Sequence, residues 1–257
     1  MRLFVLLTVC LCCSRAFAQD AKPTDSNDLL DPYRKAATDR WEKSISEFDT
    51  LNKAESHPDN SVLFIGSSSI RRWSTMATDM APYSTIRRGY GGAKYTDMAV
   101  FVERIVSPHK YKALVMFVGN GVTGKSEDHT PEQIEELVRH IVSVSHKHQP
   151  QAPVFLIEIT PCESRFNAWP KIRAANGRLR EVALSTPDTY FVPTASHYLK
   201  ADGTPRPELF VKDRLHLSEA GYDLWAKLIR NRLNDVLLAR SKETAAKAMA
   251  EKSESKK

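Results

Sequence analysis

The sequence predicts an α/β fold, a three-layer α/β/α sandwich whose central sheet is mainly parallel and five-stranded. Five short apolar runs, rich in β-branched and aromatic residues, have the length of buried strands. The run over 113–119 is apolar almost throughout, which is typical of a strand covered on both faces. Amphipathic stretches separate the runs, and this alternation implies right-handed crossovers with helices on both faces of the sheet.

Residues 1–18 are predicted to be a signal peptide. Arg2 gives a positive start, a short apolar run follows, and Ala16-Phe17-Ala18 has the small-x-small form of a cleavage site. The apolar run is too short to span a bilayer, so no stable membrane insertion is expected. Three of the four cysteines lie in this segment, which leaves Cys162 alone in the mature chain and excludes an internal disulfide. We therefore expect a secreted or periplasmic protein.

One domain is expected over 19–240, followed by a charged tail over 241–257. The formal net charge of +6 includes two arginines of the signal, and the tail adds five lysines against three glutamates. Little positive charge remains on the domain, and neither a concentrated basic face nor aromatic platforms are visible, so nucleic-acid binding is not expected. The Ala, Lys, Glu and Ser content of the tail predicts frayed helix or disorder. The sequence leaves the oligomeric state open.

In chain order, the first element is an amphipathic helix over about 31–54, with Trp41, Ile45 and Phe48 on one face. We expect this N-terminal brace to begin near Pro32 and to pack on the outside of the domain. Next come a strand over 62–65, a serine-rich turn, an irregular segment to Tyr83, a strand over 84–90, a helix over 95–106 and the strand over 113–119.

The second half of the domain continues the alternation. Thr130, Pro131 and Gln133 fit a capped helix start, so a helix is predicted from 131 to about 147. After it come a strand over 154–159, a long loop over 160–167, a helix over 169–184, a strand over 190–193, a loop over 196–212 and a closing helix over 217–239.

The serine-rich turn Gly66-Ser67-Ser68-Ser69 breaks the apolar run of the first strand. A strand, a tight turn with a hydroxyl and a helix together present a nucleophilic serine at the carboxyl edge of a parallel sheet. The alternative is a plain turn in which a serine caps the helix, since serine is a preferred N-cap residue. The other polar stretches of the chain have to decide between these two interpretations.

Three further polar stretches follow predicted strands or precede the last helix. Gly91 and Gly92 would let a backbone N–H approach a ligand closely, and Asn120 places an amide after a buried strand. Asp213 and His216 lie three residues apart, so their carboxylate and imidazole can face the same side of a turn. Each stretch also has a structural interpretation, a turn for the glycines and a cap for the others. Their common order and placement favours a site.

On these stretches the sequence resembles the SGNH hydrolases, also called the GDSL lipase/acylhydrolase family, over nearly the whole domain. The resemblance implies a flavodoxin-like fold and matches Ser68 to the nucleophile, with His216 and Asp213 completing a Ser-His-Asp triad. It matches Gly92 and Asn120 to the donors that form an oxyanion hole together with the N–H of the nucleophile. Such a hydrolase requires no metal and no organic cofactor.

Two positions depart from the motifs of this family. Ser67 stands where the family usually has aspartate, as in the branch that writes the turn Gly-Ser-Ser-Ser-Ile-Arg, so we expect activity to persist. Gly121 stands where the third motif has an aspartate that helps to hold its loop. Loss of that carboxylate would loosen Asn120, and a displaced oxyanion donor costs on the order of 3 kcal/mol in the barrier.

Resemblance and secretion together imply a serine esterase that acts on short-chain acyl esters, acetyl esters foremost, with carbohydrate as one candidate for the alcohol. The sequence shows no lid-like apolar helix, which disfavours long-chain lipase action. The alternative is a glycan-binding protein that keeps the fold but has lost turnover, because Gly121 replaces the aspartate.

Four arginines flank the predicted site, namely Arg71, Arg72, Arg87 and Arg88. One hypothesis is that they recognise an anionic substrate, such as an acylated uronic or sulfated sugar. The other is that they face solvent or pair with local carboxylates. The stretch His146-Lys147-His148 has no third ligand nearby and is interpreted as a solvated helix end rather than a metal site.

Overall fold

The computed structural model describes residues 26–254 and confirms the predicted α/β class. The predicted signal peptide, residues 1–18, lies outside the described part. The central sheet has five parallel strands, which are β1 (Val62–Gly66), β2 (Thr85–Gly89), β3 (Ala113–Phe117), β4 (Val154–Ile157) and β5 (Thr189–Val192). Their order across the sheet is β2-β1-β3-β4-β5.

The chain reverses its direction of travel across the sheet between β1 and β3. It passes from β1 to β2 on one side and then returns to β3 on the other, and β1 pairs with both strands. The carboxyl ends of two strands at such a switch point frame a crevice where ligands of open α/β sheets bind. The serine turn after β1 and Asn120 after β3 both lie at this crevice.

Seven α-helices cover the sheet within the described residues. They are α1 (Ser26–Ala54), α2 (Ser68–Arg72), α3 (Met76–Asp79), α4 (Tyr95–Val106), α5 (Pro131–His148), α6 (Trp169–Ser185) and α7 (Glu219–Glu254).

Alternate residues of the strands face two separate apolar layers. Leu63 and Leu114 pack in the layer formed with α4, α5 and α6, whereas Phe64 and Val115 pack against α7 and the short helices α2 and α3. Successive side chains of a strand point to opposite faces, so the three central strands β1, β3 and β4, whose residues are all buried, are covered on both sides. This is the predicted three-layer sandwich.

The N-terminal brace α1 packs on α4 at the outside of the domain. Arg88 of β2 is buried and ties the end of α1 to the sheet, because its guanidinium donates to Asn52 Oδ1 and Glu55 Oε2. Arg104 of α4 pairs with two further α1 carboxylates, those of Glu42 and Asp49. The brace is therefore held by polar contacts as well as by its apolar face.

Both terminal helices are longer than predicted. Helix α1 begins at Ser26 and contains Pro32. Proline removes one backbone hydrogen bond, and the burial of Leu30 together with the packing of Tyr33 on the core outweighs that loss. Helix α7 begins at Glu219, after Ser218 accepts the N–H of Gly221, and continues to Glu254 through most of the charged tail. Ala, Lys and Glu favour helix, which explains this extension. The division into signal, domain and tail remains a prediction.

The segments predicted as irregular contain short helical turns. Helix α3 lies inside the segment ending at Tyr83, where Trp73 Nε1 and Thr75 Oγ1 both donate to Asp79 Oδ2 at 2.6 Å and close the turn. The loops predicted over 160–167 and 196–212 contain 3₁₀ turns at Glu163–Ala168, Ala195–Tyr198 and Pro207–Leu209. None of the helices within residues 26–254 has the length and apolar character needed to cross a bilayer.

Candidate active site

The serine turn is shaped by close contact with the neighbouring strands. A Cβ atom at Gly66 would lie 2.0 Å from the carbonyl oxygen of Phe117, so only glycine fits there without a shift of the backbone. The N–H of Ser67 donates to that same carbonyl at 3.0 Å, and α2 begins at Ser68. The side chain of Ser68 is thereby placed at the carboxyl edge of the sheet, beside β3.

Ser68, His216 and Asp213 form a continuous chain of hydrogen bonds. Ser68 Oγ lies 2.9 Å from His216 Nε2, although 148 residues separate the two in sequence. His216 Nδ1 lies 2.7 Å from Asp213 Oδ2. This order of hydroxyl, imidazole and carboxylate is the arrangement that activates a serine for nucleophilic attack.

The charge on Asp213 fixes the tautomer of the imidazole. Burial raises the pKa of Asp213, but hydrogen bonds from the N–H and ring of His216 and from the N–H of Leu215 outweigh it and lower the pKa to about 2. An ionised carboxylate accepts and cannot donate, so Nδ1 bears the ring proton when the imidazole is neutral. Nε2 is then the acceptor for the hydroxyl of Ser68.

A tight loop over 211–216, which a β-bridge closes just before α7, positions the carboxylate and the imidazole. Phe210 and Leu217 form an antiparallel bridge, and Val211 N donates to His216 O at 2.9 Å inside it. Arg214 at the tip of the loop takes a φ of +55°. This geometry turns the side chains at positions 213 and 216 toward the same side, as the spacing predicts.

Gly92 and Asn120 lie side by side across the crevice. Asn120 Nδ2 donates a hydrogen bond to the carbonyl of Gly92, and a Cβ at position 92 would lie only 3.0 Å from that nitrogen. Asn120 lines the same pocket as Ser68 and His216. Within the described chain, the N–H groups of Ser68 and Gly92 donate to no other backbone group. The five predicted site residues are thus brought to one place.

Arg165 is a site residue that the sequence analysis missed. Its Nη1 donates to Gly119 O and its Nη2 to Asn120 Oδ1, both at 2.7 Å. The sequence places this arginine in the loop predicted over 160–167 and gives it no role. The available signal was its position after β4, at the same sheet edge as the serine turn.

The departure at Gly121 has a structural explanation. A Cβ at this position would approach Tyr95 Cδ2 to 3.1 Å, so an aspartate would need that buried ring to move. The loop is held by Asp128 instead, whose carboxylate accepts the N–H groups of Thr123, Gly124 and Lys125 as well as the hydroxyl of Thr123. Burial raises the pKa of Asp128, but these hydrogen bonds lower it below its usual value. The loop after β3 is therefore braced without a carboxylate at position 121.

A small pocket of about 40 Å³ opens beside Ser68 and His216. Its apolar wall consists of Phe117, Ile159, Ile172, Phe210, Leu215, Leu217 and Trp225. Thr160, Cys162 and Arg165 add polar groups, and Thr160 Oγ1 is buried with no hydrogen-bond partner among the described residues. Cys162 is a free, buried thiol, and burial raises its pKa.

The four arginines of the sequence analysis have different environments. Arg88 is buried against α1 and does not reach the site. Arg87 Nη1 donates to the carbonyls of Arg71 and Trp73, which joins β2 to the end of α2. Arg72 lies 3.8 Å from Asp213 Oδ2 and is about half exposed. Pairing with a local carboxylate therefore describes Arg88, which bonds to Glu55, and Arg72, which lies beside Asp213, whereas Arg87 bonds to backbone carbonyls.

Residues 61–224 match the GDSL-like Lipase/Acylhydrolase family. Among known proteins, the chain is 26% identical over 211 residues to platelet-activating factor acetylhydrolase IB subunit alpha1 of Rattus norvegicus. That alignment covers 79% of this chain and 83% of the rat protein.

Solved structures with less sequence similarity share the fold. A Streptococcus pneumonia protein described as a candidate platelet activating factor has a TM-score of 0.68 at 19% identity, covering 80% of this chain and 97% of that one. A GDSL-like lipase of Bacteroides thetaiotaomicron has a TM-score of 0.63 at 18% identity, covering 75% and 98%. A carbohydrate esterase family 3 protein of Talaromyces cellulolyticus has a TM-score of 0.53 at 14% identity, covering 70% and 99%.

Proposed function

Because this chain belongs to the GDSL-like lipase/acylhydrolase family, we propose that it is a secreted serine esterase that hydrolyses short-chain acyl esters, acetyl esters foremost. The observation that supports this most strongly is the hydrogen-bonded chain from Ser68 through His216 to Asp213. The proposed substrates are small-molecule or carbohydrate esters, and anionic sugars are included among them.

In the proposed reaction, Ser68 Oγ attacks the ester carbonyl while His216 Nε2 takes the hydroxyl proton. Asp213, ionised at neutral pH, holds the ring in the required tautomer and stabilises the imidazolium that forms. His216 then gives the proton to the leaving alcohol, and an acyl group remains on Ser68. A water molecule, deprotonated by the same imidazole, releases the acid and restores the serine.

The tetrahedral oxyanion would lie between the N–H groups of Ser68 and Gly92 and the side-chain amide of Asn120. Asn120 Nδ2 uses one of its two protons for the carbonyl of Gly92, which leaves the second for the oxyanion. Donors that are already in place before the reaction stabilise the developing charge without reorganising at that moment.

The size of the pocket supports a short acyl group. A small cavity with an apolar wall beside Ser68 suits a short acyl group such as acetyl. The carbohydrate esterase from Talaromyces cellulolyticus shares only the fold with this chain. It supports acetylated carbohydrate as a class to test and does not identify a sugar.

A chain-length series of nitrophenyl esters tests this function. We expect kcat/KM to be highest for the acetate and to fall steadily toward the decanoate, and a maximum at C10 or longer would refute the short-chain assignment. Replacement of Ser68 by alanine should lower kcat about 10³-fold or more, whereas Ser74→Ala, an exposed serine of the same segment, should not.

The binding-protein alternative predicts a different result in the same series. It requires a wild-type protein with no turnover on any ester that still binds acetylated glycans in calorimetry. Anionic sugars are tested by comparing neutral and uronic acetylated oligosaccharides for the wild type and for Arg71→Ala. Equal losses on both classes would remove arginine recognition from the proposal.

A further inference from the structure

The geometry points to Arg165 as a positioning residue that sets the orientation of the Asn120 amide. This inference rests on the proposed function and adds to it a residue that acts through Asn120 rather than on the substrate. It starts from two hydrogen bonds, those from the guanidinium to Gly119 O and to Asn120 Oδ1 at 2.7 Å each.

An asparagine amide can flip by 180°, which exchanges its oxygen and nitrogen, and only the orientation that presents the nitrogen can donate to an oxyanion. Its oxygen accepts hydrogen bonds and its nitrogen donates them. A guanidinium has donors only and stays protonated, so it pairs with Oδ1 and disfavours an amide nitrogen in the same place. Arg165 therefore directs Oδ1 away from the oxyanion, and Nδ2 is left facing Gly92 and the crevice.

The hydrogen bond from Arg165 to Gly119 O restricts the movement of the Asn120 side chain further. Arg165 joins the side chain of Asn120 to the carbonyl of the preceding residue, Gly119, so the planar guanidinium fixes backbone and side chain together. The side chain of Asn120 cannot rotate about its Cα–Cβ bond without losing its hydrogen bond to Arg165. The two hydrogen bonds from Arg165 fix the loop directly before Gly121, the position at which this chain has no carboxylate.

The turn that contains Arg165 also touches the loop of the predicted triad. Arg165 N donates to Cys162 O within the 3₁₀ turn, and Ser164 N donates to Arg214 O at 3.2 Å. Arg214 lies between Asp213 and His216. The turn therefore contacts both the Asn120 amide on one side of the crevice and, on the other side, the loop that holds His216.

A role in the fold alone would also explain a half-buried arginine with these contacts, so the test has to separate a structural role from a positioning role. Arg165→Met removes both hydrogen bonds and keeps much of the side-chain bulk. The matched control is Arg139→Met, because Arg139 makes side-chain hydrogen bonds to Glu135, Thr186 and Ser185 away from the site. Arg139→Met should lower the melting temperature without changing kcat.

For Arg165→Met we expect kcat for nitrophenyl acetate to fall about 10- to 100-fold, with KM nearly unchanged, because the donor is misplaced only in the transition state. In an Asn120→Ala background the same change should cost less than about 3-fold, since the residue it positions is gone. Arg165→Lys should recover part of the rate. Equal losses with and without Asn120 would overturn the inference.

A measurement without turnover tests the orientation itself. In protein labelled with ¹⁵N at asparagine side chains, Asn120 should show two widely separated, slowly exchanging amide protons, assigned with Asn120→Asp. We expect Arg165→Met to bring them together and speed their exchange, and Arg139→Met to leave them unchanged. Unaltered Asn120 resonances in Arg165→Met would contradict the inference. An inactive wild type with the expected spectra would instead reject the proposed function alone.

Discussion

The two sides of the crevice are built in different ways. On the imidazole side, Asp213 and His216 lie three residues apart, and the carboxylate also accepts N–H groups from its own turn. On the amide side, Asn120 contacts Gly92, 28 residues before it, and Arg165, 45 residues after it. A local turn therefore positions one side, whereas the packing of three separate loops positions the other.

This difference explains which residues the sequence could reveal. A short spacing such as that from Asp213 to His216 is visible as a motif, because chemistry and local geometry depend on the same few residues. A contact between loops leaves no such spacing. From the sequence, Gly121 therefore indicates a weakened loop after β3. The structure shows that Asp128 and Arg165 hold this loop in place.

The largest expected effect lies on the imidazole side. Asp213→Asn keeps the shape of the side chain but can donate to Nδ1, which favours the tautomer that cannot accept the serine proton. We expect kcat for nitrophenyl acetate to fall about 10⁴-fold. Asp223→Asn, an exposed carboxylate of α7, serves as the control and should retain full activity. A loss of less than about 10-fold for Asp213→Asn would remove Asp213 from the triad.

A smaller effect is expected from the loop on the amide side. Asp128→Asn replaces an ionised acceptor by an amide and weakens the hydrogen bonds from Thr123, Gly124 and Lys125. We expect kcat to fall about 3- to 10-fold at constant KM, because Asn120 is loosened and still present. Asp202→Asn is the matched control, since Asp202 holds a similar turn at Thr204 and does not line the pocket. Equal effects of both changes would indicate a general loss of stability.

The smallest effect concerns stability against pH. The pKa of Asp213 is lowered from 3.8 to about 2, so its ionisation stabilises the folded state above pH 4, and this contribution is lost as the pH falls toward 2. The side chain is 42% exposed, so we expect the contribution to be below about 1 kcal/mol. Urea unfolding of Asp213→Asn should approach that of the wild type below pH 3. Asn120→Ala should show no such convergence, because an amide does not titrate.

Elements whose bounds are set by residues within or next to them were predicted well. The helix over 95–106 has the predicted bounds, and α5 begins at Pro131 because Thr130 and Gln133 cap it reciprocally. The start of α1 and the end of α7 were wrong, because these extensions depend on packing and on helix propensity without a stop signal, whereas the predicted end of α1 at residue 54 is confirmed. Helix α3 was missed because Asp79, its last residue, closes it by accepting hydrogen bonds from the side chains of Trp73 and Thr75, and no capping motif in the sequence indicates these contacts.

Covalent labelling of Ser68 is the most direct test of the proposed nucleophile. Phenylmethylsulfonyl fluoride reacts with a serine that has an activated hydroxyl, and mass spectrometry of the digested protein locates the adduct. We predict a single adduct on Ser68, with none on Ser67 or Ser69, and at least a 100-fold slower reaction after His216→Ala. An unmodified Ser68 in protein that hydrolyses nitrophenyl acetate, or equal labelling with and without His216, would show that Ser68 is not the nucleophile activated by His216.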